Sequence, residues 1–307
     1  MKTSFICTVL NEGKTIETFL SSLAGQTKLP DEIVVVDGGS KDKTVEIIQN
    51  AKCKMQNHNL EFKILKRIGA NRAEGRNFAV KEAKNEIIAI SDAGCELDKN
   101  WVKEITGPFE KEKEVKVVAG YYRAEGKNTF EKSVIPFVLV MPEKVKPGQF
   151  LPASRSMAIK KSTFLKLGGF PEKYPDNEDY VFANLLKQKK IKIFFQKSAI
   201  VKWFPRTSLF DFSKMIYIFA RGDSQAGLRR LKVLSIYLRY LFLLAISFID
   251  LNLFLWSFCL YLCWSVFKNY RYVKEPGAIF WLPILQITSD FAVMFGTLAG
   301  ISKRYES

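Results

Sequence analysis

The acids Asp37, Asp92 and the pair Glu178-Asp179, with Glu12 as a lesser candidate, stand at the ends of apolar runs or at helix starts. Four apolar β-formers precede Asp37 in Glu32-Ile-Val-Val-Val-Asp37, and Ile-Ile-Ala-Ile-Ser precedes Asp92. Such runs suit strands covered on both faces, and parallel strands ending at Asp37 and Asp92 present both carboxylates on one edge. Open α/β sheets bind their ligands at that edge. A carboxylate there can hold a divalent cation carried by a diphosphate, because Mg²⁺ takes one or two protein carboxylates and fills its shell with phosphate and water. Around the first run, Gly38 and Gly39 permit close backbone approach, and Ser40 or Asp42 can cap a helix beginning near Lys43. Residues 32–48 therefore read as a strand, turn and helix start built for a nucleotide, beside the plainer alternative of an ordinary loop.

The elements that must position these acids alternate. Strand patterns fall at residues 3–10, 33–36, 62–65, 87–91 and 115–122, with helix patterns at 14–24, 43–53, 71–84 and 101–111. This rhythm predicts a doubly wound parallel sheet. Beyond residue 122 it changes to an irregular, Pro-interrupted insertion at 128–149. A strand at 156–159, helices at 161–167 and 178–189, and short strands at 191–195 and 199–203 follow.

The C-terminal quarter has another character. Between residues 233 and 267 the only charges are Arg239 and Asp250, and between 277 and 301 the only one is Asp290. Both stretches are long enough to span a bilayer. A run of about thirty-five residues is too long for one upright helix at ~20 residues per span, so a turn at Asp250 and three segments in all are favoured over two. The expected organisation is a domain over 1–207, an amphipathic helix over 208–232 that either lies along the membrane interface or packs into a core, and a membrane region over 233–307. Asp250 and Asp290 are costly in lipid, so each marks a turn or a contact inside a helix bundle.

Of the net charge of +16, the first 232 residues carry +14, from 41 basic and 27 acidic side chains. A basic domain beside a membrane favours anionic headgroups and phosphorylated ligands. Nucleic acid is set aside, since no zinc, helix-turn-helix or aromatic-basic RNA signature accompanies the charge. The five cysteines lack metal-site pairing and suit a reducing compartment. Residues 1–10 are too short and too polar for a signal peptide, so the N-terminal domain is expected in the cytosol and the chain in the cell membrane.

Several ordered motifs together resemble the family 2 glycosyltransferases: Thr8-Val-Leu-Asn-Glu12, Ser22-Leu-Ala-Gly-Gln-Thr27, the run to Ser40, Gly69-Ala-Asn-Arg-Ala-Glu-Gly-Arg-Asn77, Ser91-Asp-Ala-Gly-Cys95 and Asn177-Glu-Asp-Tyr-Val-Phe182. The resemblance covers residues 3–205. It implies an α/β, Rossmann-like nucleotide-diphospho-sugar transferase fold, followed here by the membrane helices. The implied activity is inverting, metal-assisted transfer of a sugar from a nucleotide donor to a lipid-linked or membrane-proximal acceptor, in glycan biosynthesis. By the same resemblance, Thr8, Glu12 and Asp37 hold the nucleoside, Arg76 and Asn77 lie near the diphosphate, and Asp92 binds Mg²⁺ or Mn²⁺. Asp179 acts as general base, Glu178 orients the acceptor, and Arg221 binds phosphate near the membrane.

Two departures stand out. Relatives carry Asp-X-Asp where this chain has Asp92-Ala-Gly94, and Asp-Asp-Gly-Ser where it has Asp37-Gly-Gly-Ser40. The first leaves open a tethered nucleotide-sugar-binding protein without turnover, against which the intact Asn177-Glu-Asp179 counts. A nucleotidyltransferase would want a Gly-rich basic loop after the first strand, of which Asn11-Glu-Gly-Lys14 is a poor version. Arg155 can bind an acceptor phosphate or form a surface ion pair, and Trp203 and Phe204 can stack on an acceptor sugar or fill a core. His58, in a polar run, reads as a solvated loop residue.

Overall fold

The structure is a computed structural model and describes residues 1–55, 60–174, 176–228 and 230–305; His58 lies outside the described residues. It divides into two compact units. The first comprises residues 1–123 and 142–204, the second residues 124–141 and 205–307.

The first unit is built on an eight-stranded sheet: β1 (Thr3–Val9), β2 (Glu32–Asp37), β3 (Glu61–Lys66), β4 (Ile87–Ile90), β5 (Cys95–Leu97), β6 (Val117–Ala124), β7 (Met157–Lys160) and β8 (Ile193–Trp203). Their order is β3-β2-β1-β4-β7-β6-β8-β5. β1, β2 and β4 are buried along their length, as strands covered on both faces must be. Alternate residues of β1 feed the two layers. Phe5 meets Phe19 of helix α1 (Ile16–Ala24) and Trp101 of α4 (Trp101–Lys111), ring centroids 5.8 and 5.9 Å away. Ile6 points into the opposite cluster with Ala79 and Val80 of α3 (Arg72–Glu82), Phe164 of α6 (Lys161–Lys166) and Phe182 of α7 (Glu178–Gln188). The remaining helix, α2 (Thr44–Met55), follows β2.

The expectation of a parallel sheet holds for β1–β4 and fails beyond them. β7 runs antiparallel to β4 and β6, and β5 antiparallel to β8. Met157-Ala-Ile159 is buried on both faces whichever way it runs, so apolar patterning cannot register its direction. The two short strands expected at 191–203 are one strand, β8. The irregular insertion contains a regular helix, α5 (Thr129–Val138), which Asn128 starts by accepting from the Glu131 amide.

In the second unit α5 joins α8 (Leu209–Gln225), α9 (Leu231–Ile249), α10 (Leu251–Val273) and α11 (Ala278–Tyr305). The helix foreseen over 208–232 ends at Gln225. It packs closely on α11, where a Cβ on Gly296 or Gly300 would fall 2.4 Å from the carbonyl oxygens of Tyr217 and Arg221. The 233–267 stretch breaks where expected: Asp250 caps α10 by accepting from the Asn252 and Leu253 amides. Asp290 is a bundle-interior contact, accepting from Arg239 (3.3 Å), Tyr240 (3.3 Å), Gln286 (2.9 Å) and Tyr261. The residues 231–249, 251–273 and 278–302 form three helices long and apolar enough to cross a membrane.

At the sheet edge opposite Asp37, buried Glu32 ties four segments together. It accepts from Ser4 of β1, from Lys63 of β3 (2.5 Å) and from the Lys84 amide (2.7 Å). Burial would raise its carboxyl, but Lys63, Ser4 and the Lys84 amide hold it below the usual range. A depressed carboxyl stabilises the fold above its unfolded pKa of about 4.3, and that contribution is lost as pH falls through the folded value. Glu32→Ala strands three donors and is expected to cost roughly 2–3 kcal/mol, read as a lowered Tm in detergent at pH 7. The deficit relative to the parent should shrink below pH 4.

Candidate active site

The carboxyl ends of β1, β2 and β4 gather the candidate residues, beside the start of α7. At its centre lies Arg76 of α3, 3% exposed. Its guanidinium donates to Asp92 Oδ1 at 2.7 Å and, from its other terminal nitrogen, to Glu178 Oε1. Arg76, expected near the diphosphate, forms a buried bridge between two carboxylates. α3 can deliver this residue because Gly75 lets the helix meet β1: a Cβ there would sit 2.8 Å from Thr8 Cγ2.

Glu178 is the first residue of α7 and is 2% exposed. Burial raises its carboxyl, Arg76 opposes that, and neighbouring Asp179 adds to it. For Asp92 the balance runs the other way. Burial alone would raise it, but Arg76, with Arg155 and Arg72, holds it below the usual carboxylate range. Asp179 is directed by α7 away from Glu178: its Oδ2 accepts from the Ser154 amide and hydroxyl at 3.1 and 3.2 Å. The segment that supplies Ser154 is anchored beside Asp92, since Ser91 Oγ donates to the Arg155 carbonyl at 2.7 Å.

Arg155 follows Ser154. Its guanidinium carbon lies 5.4 Å from the ring centroids of both Tyr122 and Trp203. Trp203 is itself placed by β8, where it pairs with Cys95, whose amide closes the turn from the Asp92 carbonyl at 3.1 Å. Asp92, Glu178, Asp179, Arg76, Arg155 and Trp203 therefore belong to one constellation. Ser154 and Tyr122 were missed by sequence reasoning, although Pro-Ala-Ser-Arg-Ser before a buried strand and Tyr121-Tyr122 at a strand end were visible signals.

The other expected residues are held by their own local contacts. The Asn77 amide donates to the Phe170 carbonyl (2.8 Å) and Glu172 (2.9 Å), and its oxygen accepts from the Phe170 amide (2.8 Å). That set clamps the turn before α7. Asp37, 2% exposed, accepts from the amides of Gly39 (3.2 Å) and Ser40 (3.0 Å), closing its own turn, with Gly39 at φ +103°. Glu12 accepts from Thr15 Oγ1 at 2.7 Å at the entry to α1, and Thr8, next to last in β1, meets Gly75. Trp203 is 7% exposed, with one face toward Arg155. Arg221 belongs to the second unit, 5.9 Å from the Tyr217 ring.

Among the described residues, no three His, Cys, Asp or Glu side chains converge as a ready-made metal cage. Asp92 has the chemistry to suit a cation. Its side chain remains 31% exposed, it is held ionised, and only Oδ1 accepts from Arg76, so it fits a divalent ion that draws its other ligands from diphosphate and water.

The family model for glycosyl transferase family 2 matches residues 4–168. The chain is 24% identical over 323 residues to poly-beta-1,6-N-acetyl-D-glucosamine synthase of Staphylococcus epidermidis, covering 99% of this chain and 75% of that protein. In fold it is similar to mannosyltransferase PcManGT from Pyrobaculum calidifontis, solved with GDP-Man and Mn²⁺, with TM-score 0.57 at 16% identity over 100% of this chain and 76% of that one. It is also similar to S. aureus TarS 1-349 in complex with UDP-GlcNAc, with TM-score 0.55 at 16% identity over 100% of this chain and 93% of that one. With a family match over more than half of its length, this chain belongs to the family 2 glycosyltransferases, enzymes that transfer a sugar with inversion.

Proposed function

We propose that this glycosyltransferase moves an N-acetylhexosamine from a uridine-diphosphate donor to a hydroxyl of a lipid-linked or membrane-proximal glycan, with Asp179 as general base. The observation that carries this reading is the linkage of Asp179 to the donor-side carboxylate. Ser154 holds Asp179, while adjacent Glu178 is tied through Arg76 to Asp92. The donor class is supported by the similarity to the poly-N-acetylglucosamine synthase and to TarS bound to UDP-GlcNAc. The membrane-proximal acceptor is supported by the three apolar helices, which the similarity to the synthase includes.

In this mechanism the acceptor oxygen attacks the anomeric carbon opposite the diphosphate. The bond from that carbon to the diphosphate oxygen breaks as the new glycosidic bond forms, and the acceptor proton passes to Asp179. Asp179 is fit for this task because it is held at a helix start without being bridged by the buried arginine. Asp92 would hold Mg²⁺ or Mn²⁺, which when bound offsets charge on the departing diphosphate. Glu178 orients the acceptor side through its fixed place on α7, and the turn at Asp37, with Thr8 and Glu12 nearby, faces the nucleoside.

Asp179→Asn is expected to lower transfer by at least ~100-fold while leaving donor affinity within a few-fold, because the amide keeps the shape and cannot take the proton. Radiolabelled sugar incorporation and calorimetric donor titration check the two halves. Transfer near the parental rate would remove Asp179 from the mechanism.

Asp92→Asn should weaken donor binding and abolish dependence on Mg²⁺ or Mn²⁺. A Cβ on Gly94, the position of the second acid in relatives, would meet nothing within 4 Å. Gly94→Asp is therefore expected to fold and to activate at a lower metal concentration than the parent. Turnover of the parent undiminished in chelator would show the role of Asp92 to be wrong.

The reading also assigns a topology: the N-terminal unit in the cytosol and three crossings. These return Lys268, Arg271 and Lys274 to the cytosol, as the positive-inside rule favours. Tyr270→Cys in a cysteine-free background should resist an impermeant thiol reagent added to intact cells, and rapid labelling would count against three crossings.

A further inference from the structure

The side chain of Arg155 is placed with unusual definition and given no conventional partner. Two rings flank its guanidinium, each 5.4 Å away. Tyr122 comes from β6 and Trp203 from β8, both anchored in the sheet. The backbone of Arg155 is pinned by Ser91 on one side, while preceding Ser154 is engaged with Asp179 on the other. Among the described residues no carboxylate, carbonyl or hydroxyl accepts a hydrogen bond from its side chain. Its charge nevertheless reaches Asp92 and Cys95, in both cases favouring the ionised form.

An arginine spends little further freedom on binding when aromatic faces already hold its planar fork. Its remaining donors match the oxygens of a phosphate better than a single carboxylate or sugar hydroxyl. Its backbone is bound to Ser91, the residue before Asp92, and the Trp203 ring beneath it pairs through β8 with Cys95, three residues after Asp92, so the anion met on the side of this donor-side carboxylate is the donor's diphosphate.

Resting on the transferase reading, we infer that Arg155 binds the diphosphate of the nucleotide-sugar donor and stays with it as the leaving group. The sequence left Arg155 between an acceptor phosphate and a surface ion pair, and the family resemblance gave Arg221 a phosphate near the membrane. When the bond from the anomeric carbon to the diphosphate oxygen breaks, the electron pair goes to that oxygen, and Arg155 meets the charge that develops there. The aromatic pincer sets the geometry: Trp203 and Tyr122 hold the fork still and need not touch the sugar.

The test compares nucleotides that differ by one phosphate. UDP, UMP, GDP and GMP are titrated calorimetrically into the full-length, detergent-solubilised protein and into Arg155→Gln, Arg155→Lys and Trp203→Leu, with Mn²⁺ present throughout. Arg155→Gln is expected to lose at least tenfold in affinity for the nucleoside diphosphate that the parent binds, and less than twofold for its monophosphate. Arg155→Lys keeps the charge without the fork and should lose less. Trp203→Leu, which frees the guanidinium, should fall between parent and Arg155→Gln.

Diphosphate affinity of Arg155→Gln within twofold of the parent would overturn the assignment. So would equal losses for diphosphate and monophosphate, which report a general defect. Retained diphosphate affinity with a raised KM only for a phosphorylated acceptor would move Arg155 to the acceptor side and overturn it as well. If Arg155→Gln does not fold, Arg155→Lys decides: affinity unchanged for both nucleotides refutes the clamp. A parent that binds none of the four nucleotides would instead overturn the transferase reading on which the assignment stands.

Discussion

A guanidinium buried between two carboxylates is the interaction on which the rest of this site depends. Bringing Asp92 and Glu178 together out of water would be prohibitive for two like charges, and Arg76 is what makes the arrangement stable. The bridge spans distant parts of the chain: Asp92 ends a core strand, Glu178 begins a helix more than eighty residues later, and Arg76 comes from a third element. Breaking one arm leaves a buried charge unpaired, which costs far more than the pair contributes relative to an apolar replacement. The bridge is therefore better understood as specifying geometry than as adding stability. It fixes the start of α7, and with it the direction in which the next side chain, Asp179, must point.

From that constraint the division of labour follows. Two adjacent acids at the head of one helix have opposite fates. Glu178 turns inward, where burial favours its neutral form and Arg76 resists, while Asp179 turns toward Ser154 with a neutral partner only. Asn77, one residue after Arg76, looks like binding chemistry in the sequence and serves architecture. Its three hydrogen bonds hold the Phe170 turn, which must be fixed if α7 is to begin in the right place. A motif that reads as one ligand-binding unit is thus split between a residue that shapes the charge of the site and one that shapes its walls.

What was legible in the sequence follows the same physics. Strands β1, β2 and β4 were readable because burial on both faces demands unbroken apolar runs, and Asp250 was readable because a charge in such a run needs a turn or a partner. The direction of β7 was not readable, since its burial is the same either way, and three-residue β5 is too short to carry a period. α5 was hidden by Pro136, which a pattern reading takes as an interruption and which the helix accommodates in its last turn. The acids of the site were found because they end legible elements. Their partners were not, because the pairing of Arg76 with Glu178 is a contact across 102 positions that no local spacing encodes.

The single carboxylate of Asp92-Ala-Gly94 can be understood together with Arg155. Space does not forbid a second acid, since Gly94 faces open room. Its absence is then a matter of charge. One acid in place of two leaves the site less negative by one unit, and the contact inferred for Arg155 acts in the same direction on a diphosphate. A site with two acids must rely on a bound cation to overcome its own negative charge before it can attract a diphosphate. With one acid and a held guanidinium, more of that attraction is supplied by the chain.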